Sequence, residues 1–133
     1  MPANQPAQIY KRNAIISASP GQLVLMLMDG AMKFTSKALE GLDNPDFISS
    51  QEIVHNNIIR TQAIINELQG TLDFEKGGDV APNLFRVYDY LLGQLTDANT
   101  NKTKEPLLNV ARFLGEIRDS WAEMLANQMS ESA

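Results

Sequence analysis

The sequence has no cysteine and only one histidine among its 133 residues. The first absence excludes a disulfide framework, a thiolate metal site and a cysteine nucleophile. The second excludes the paired histidines of a di-iron bundle, so that Glu52-Ile53-Val54-His55, a single Glu-x-x-His, is one quarter of such a site and reads as a rim histidine. Basic residues are scarce and scattered, 11 against 16 acidic for a net charge of −5, which disfavours nucleic acid as a partner. No apolar run approaches the ~20 residues of a membrane span. Met1 to Gln8 is polar and proline-containing, without the charged start and apolar core of a secretion signal. No phosphate-cradling glycine loop and no nucleophile elbow is present, and with one histidine there is no triad to assemble. The sequence therefore reads as a non-enzyme without cofactor or metal, with the cytosol as the default compartment.

What is present is apolar and helical. Hydrophobic residues make up 44% of the chain, enough for one compact core. Ser19-Pro20-Gly21-Gln22 carries an N-cap, a proline in the first turn and a glutamine three residues after the cap, the pattern of a capping box. The helix it opens has Leu23, Met26, Leu27, Gly30, Phe34 and Ala38 at helical spacing, and Gly41 is placed to end it. Asn44-Pro45-Asp46 marks a turn into a second helix with Val54, Ile58, Thr61, Ile65, Leu68 and Leu72 on one face. Gly77-Gly78 breaks that helix, and Asp79 is placed to cap a third, on which Leu84, Val87, Tyr88, Leu91, Leu95 and Ala98 share a face. After a polar loop from Asn99 to Lys102, a fourth helix aligns Leu107, Ala111, Leu114, Ile117, Trp121 and Leu125.

Short connections between long helices force antiparallel neighbours. The expected fold is all-α: an antiparallel up-down-up-down four-helix bundle over residues 19–129, with helices near 19–41, 46–74, 80–99 and 103–128. A short N-terminal arm, residues 1–18, precedes it, and Ile9, Tyr10, Ile15 and Ile16 are too apolar for a free tail. Trp121 is expected in the core, and Asp89 with Arg118 as an interhelical pair.

One stretch does not fit a plain bundle. Leu23-Val24-Leu25-Met26-Leu27-Met28 goes right round a helix at about 100° per residue and leaves no polar face. A bundle helix hides one stripe, so the remainder needs a cover: the arm, a second copy or a partner. Met26, Met28 and Met32 make that surface soft and repackable, suited to a groove that receives an amphipathic segment. The residues alone leave permanent cover by the arm equally open.

Tyr10-Lys11-Arg12-Asn13 followed by Ser19 through Ala31 resembles the flagellin-specific export chaperones of bacterial flagella, the FliS family. Gly77-Gly78-Asp79-Val80-Ala81, Asn83-Leu84, Tyr88-Asp89-Tyr90-Leu91, Leu95, Ala98-Asn99 and Ile117-Arg118-Asp119-Ser120-Trp121 extend the likeness across nearly the whole chain. Gln22 stands where an acidic residue is common in the family, and Met28 where an aromatic is common. The resemblance implies a cytosolic four-helix protein that holds the disordered C-terminal segment of flagellin, prevents premature polymerisation and helps deliver it to the type III export gate. Further candidate partners are an export-gate component and a regulatory or co-chaperone protein. The expected client-binding residues are Ile9, Tyr10 and Ile15 in the arm, Leu23 and Leu27 as groove floor, and Tyr88 and Leu92 as the facing wall. The alternatives are a module for another flagellar or type III secretion client and a self-associating bundle.

Overall fold

A computed structural model describes residues 19–132, and the expected arm with Ile9, Tyr10 and Ile15 lies outside the described residues. The described residues form four helices and no strand: α1, Pro20–Leu42; α2, Phe47–Gly70; α3, Val80–Asn101; and α4, Lys104–Ser132. Each helix packs on the next and α4 closes the ring on α1, the four-helix bundle that the spacing predicts.

Local chemistry sets the helix starts. The Ser19 hydroxyl accepts from the Gln22 N–H, and the Gln22 side chain accepts from the Ser19 N–H, each at 3.2 Å, completing the capping box. Asn44 Oδ1 accepts from the Asp46 N–H, while Asp46 Oδ2 accepts from the Ser49 N–H, both at 2.9 Å. The bonds from Ser49 favour the ionised form and hold the Asp46 carboxyl below its ordinary pKa. Asp79 departs from expectation: its backbone is already helical, and its side chain makes no cap bond. A turn bond from the Val80 N–H to the Gly77 carbonyl (3.1 Å) leads into α3 instead.

Two helix ends also differ from the periodicity. Leu72 continues the apolar spacing of α2 and the helix is expected to reach Phe74, yet it stops at Gly70, where the Thr71 hydroxyl donates back to the Leu68 carbonyl at 2.7 Å. Conversely, the expected polar loop at 99–102 is mostly helix. α3 runs to Asn101 because Lys102 adopts the left-handed conformation (φ 52°) and its N–H closes on the Ala98 carbonyl at 2.8 Å.

Val54, Ile58, Ile65 and Leu68 of α2, Tyr88, Leu91 and Leu95 of α3, and Leu107 and Leu114 of α4 are buried as their spacing predicts. Val110 completes the α4 stripe. Helix α1 is different. Its buried stripe is Met28, Ala31, Thr35, Ala38 and Gly41, rotated from the expected Leu23–Leu27–Phe34 line. These are mostly small residues, and they let α1 approach α2 closely. A Cβ at Gly41 would lie 2.6 Å from Ile53 Cγ2, and the buried Ser50 hydroxyl donates to the Gly41 carbonyl at 2.7 Å. Thr35 and Thr61 satisfy their hydroxyls within their own helices, on the Ala31 and Asn57 carbonyls.

Candidate binding groove

The rotation of α1 leaves Leu23 and Leu27 only half-buried and Met26 exposed, and the space beside them is a cavity of about 990 Å³. It lies at the end of the bundle where α1 and α3 begin and α2 and α4 finish. Val24, Leu23, Leu27 and Gly30 of α1 form one wall, and Val80, Ala81 and Leu84 of α3 line it too. Ile64 of α2 closes the side, with Leu72 and Gly77 of the α2–α3 connection at the rim. Met28 and Tyr88, both essentially buried, line its depth. Glu67, Asp73 and Lys76 add charge among otherwise largely apolar neighbours.

Three details shape the walls. The Asp73 carboxylate accepts from the Glu75 and Lys76 N–H groups at 3.0 Å each, and Gly78 turns at φ 54°, so the 71–79 connection is bent back as a rim. Opposite, the Trp121 indole N–H donates to the Gly21 carbonyl at 2.8 Å. A Cβ at Gly21 would stand 2.6 Å from Leu125 Cδ2, so the missing side chain lets the end of α4 clasp the start of α1. At the floor, burial pushes the Tyr88 phenol up to about 12, which keeps it neutral and a hydrogen-bond donor at any ordinary pH.

Of the residues the sequence singles out, Leu23, Leu27 and Tyr88 meet in this cavity. Leu92, one turn beyond Tyr88, does not line it; it is half-buried against the core. Trp121 is half-buried rather than fully enclosed, packing on the core and lining the cavity at once. Ile64, Leu72 and Leu84 line the cavity without the spacing marking them as groove residues, whereas Met28, expected on the soft surface, is fully buried at its depth. Leu84 was within reach, since it lies one helical turn before Tyr88 on the same face. The expected Asp89–Arg118 pair is not formed. Arg118 Nε donates to Asp29 of α1 at 2.7 Å, and this bond and charge hold its pKa above the ordinary arginine value. Asp89 accepts from Gln69 of α2 at 2.9 Å instead. His55 is exposed beside Asn99 of α3, and among the described residues no group of three metal-ligating side chains occurs.

The arrangement can hold a chain. It offers apolar walls, adaptable methionines and few polar anchors, the chemistry of a groove for an amphipathic or extended segment.

Comparison with known proteins agrees with that chemistry. The chain matches the sequence profile of the family described as flagellar protein FliS over residues 2–128. It is 35% identical over 118 residues to the flagellar secretion chaperone FliS of Salmonella typhimurium, covering 89% of this chain and 85% of that protein. Against the flagellar secretion chaperone FliS of Bacillus subtilis it is 29% identical over 131 residues, with 98% and 94% covered. The FliS protein of Escherichia coli, also named a flagellar secretion chaperone, is 30% identical over 120 residues, with 90% and 85% covered. On a profile match over nearly its whole length, the chain belongs to the FliS family.

Proposed function

We propose that this flagellar secretion chaperone acts in the cytosol by holding the C-terminal segment of flagellin in the end groove, which blocks premature polymerisation and keeps the segment ready for the export gate. The observation that carries the reading is the half-buried row Leu23, Leu27 and Gly30 facing Leu84 across a cavity of about 990 Å³. A disordered segment gives up roughly 1–2 kcal/mol of backbone entropy per residue when it is ordered. Extended apolar contact at about 25 cal/mol per Å² is the term that offsets this, and a point contact cannot. The mechanism is therefore enclosure without chemistry.

In this reading Ile9, Tyr10 and Ile15 of the arm occupy the groove while it is free of client. Ser19 and Pro20 begin α1 at the cavity itself, and Pro20 is one of its lining residues, so the preceding chain is tethered at the mouth at high effective concentration. Client binding then displaces the arm, and the affinity measured is a difference between two occupants. Leu92 receives the client where it runs past Tyr88 along α3.

Calorimetric titration of the full chain with the C-terminal segment of flagellin from the same bacterium tests the proposal. The expected result is a one-to-one complex with a negative heat-capacity change and added helix by circular dichroism. Leu27→Glu, which puts a charge into the apolar wall, weakens binding by about a hundredfold with the helical signal kept. A folded Leu27→Glu protein that binds as the parent does overturns the groove assignment.

A further inference from the structure

The seam between α1 and α2 is shut at one end and open at the other. At Gly41 the helices are so close that a Cβ would stand 2.6 Å from Ile53 Cγ2 and 3.2 Å from Val54 Cγ2. Three turns back along α1, at Gly30, the nearest atom to a Cβ would be Ile64 Cδ1 at 3.4 Å, and there the seam has become groove wall. Phe34 lies between the two glycines, half-buried, and two cations converge on its ring: Lys37 Nζ at 5.8 Å and the Arg60 guanidinium of α2 at 5.5 Å from the centroid. Lys33 adds a third charge on the exposed side of α1.

All three cations are exposed, and among the described residues none of them makes an ion pair. Arg118 of α4, by contrast, holds two carboxylates, Asp29 of α1 and Asp119 of its own helix. The net charge of the chain is −5, so carboxylates are not in short supply. Two like charges held on one aromatic ring repel each other, and an anion placed between them relieves the repulsion while keeping both cation–π contacts. The patch therefore presents an apolar ring with positive flanks, directly continuous with the open side of the groove.

We infer that the segment held in the groove leaves it sideways over Gly30 and lays an acidic stretch across Phe34, its carboxylates meeting Lys33, Lys37 and Arg60. This rests on the proposed function, because continuity with the groove makes the occupant a polypeptide. The patch adds a positive end to a site whose lining is apolar apart from Glu67, Asp73 and Lys76. It fixes the direction in which the client runs and speeds its capture.

The test uses the full chain and the same flagellin segment, titrated at about 50 mM and about 500 mM salt. The triple variant Lys33→Glu, Lys37→Glu, Arg60→Glu changes only exposed side chains and should bind about tenfold more weakly at the lower salt, with the parent's salt dependence gone. Replacing the segment's Asp and Glu with Asn and Gln, which leaves the chaperone untouched, should weaken the parent to the same degree and the triple variant no further. Equal affinity and equal salt dependence for parent and triple variant overturn the inference, as does an Asn/Gln segment that binds the parent undiminished. Leu27→Glu separates the two levels. If it abolishes binding while the triple variant binds normally, the groove reading stands and the charged exit falls; if it leaves binding intact, the groove reading itself fails.

Discussion

The two halves of α1 solve opposite problems with the same secondary structure. From Ala31 to Gly41 the helix turns small residues toward α2, and the backbones close until Gly41 has no room for a methyl group. From Leu23 to Leu27 it carries large residues that stay half-buried or exposed, and a cavity opens beside them. Bulk at a helix face can thus leave a seam open, while its absence closes one. The amount of hydrophobic surface does not decide which region is core: the first half of α1 is the greasier, and it is the one left more open.

The largest effect that would break this contrast comes from forcing bulk into the closed half. Gly41→Leu should destabilise the fold by about 3 kcal/mol, because Ile53 and Val54 on α2 cannot both yield, and chemical denaturation measures it. A wild-type midpoint for that variant would mean that the tight seam is not a constraint. Bulk in the open half should do the reverse. Gly30→Leu gains helix propensity of about 0.8 kcal/mol, and its Cβ meets Ile64 only at van der Waals distance, 3.4 Å, while the rest of the side chain fills the groove. Its melting temperature should hold or rise while client affinity falls about tenfold in titration.

The smallest effect sharpens the view of the groove floor. Burial favours the neutral Tyr88 phenol and raises its pKa from 10.0 to about 12, so the stability linked to that neutral form is complete below pH 10 and is lost as pH rises through about 12. Tyr88→Phe should remove this alkaline component from melting curves recorded across that window. A tyrosinate absorbance titration of the parent should show one phenol lagging behind the others.

The contrast also explains what could be read in advance. The core faces of α2, α3 and α4 alternate apolar and polar residues, so their spacing points to Val54–Ile58–Thr61–Ile65, Tyr88–Leu91–Leu95 and Leu107–Leu114 directly. The capping box at Ser19 is local hydrogen-bond chemistry and equally legible. The α1 stripe is not, because six consecutive apolar residues give no contrast to fix a rotation, and small residues at 31, 35, 38 and 41 carry little hydropathy signal. Partner choice is harder still. Arg118 meets Asp29 and not Asp89 because helix rotations about the bundle axis decide which side chains face one another, and no spacing within one helix contains that information. The rim from Thr71 to Gly77 is hidden for a related reason: Leu72 keeps the period of a helix that Gly70 and Thr71 have already ended.

The clasp of Trp121 on the Gly21 carbonyl, with Leu125 seated where a side chain would have been, joins the first turn of one helix to the closing turns of another. Helix ends open more readily than helix middles, so this wall belongs to the least cooperative part of the molecule. Its amides should exchange with solvent far sooner than those around Ile58, Leu91 and Leu107. A groove edged in this way can adapt its width at a small fraction of the global unfolding free energy, without any rearrangement of the bundle's centre.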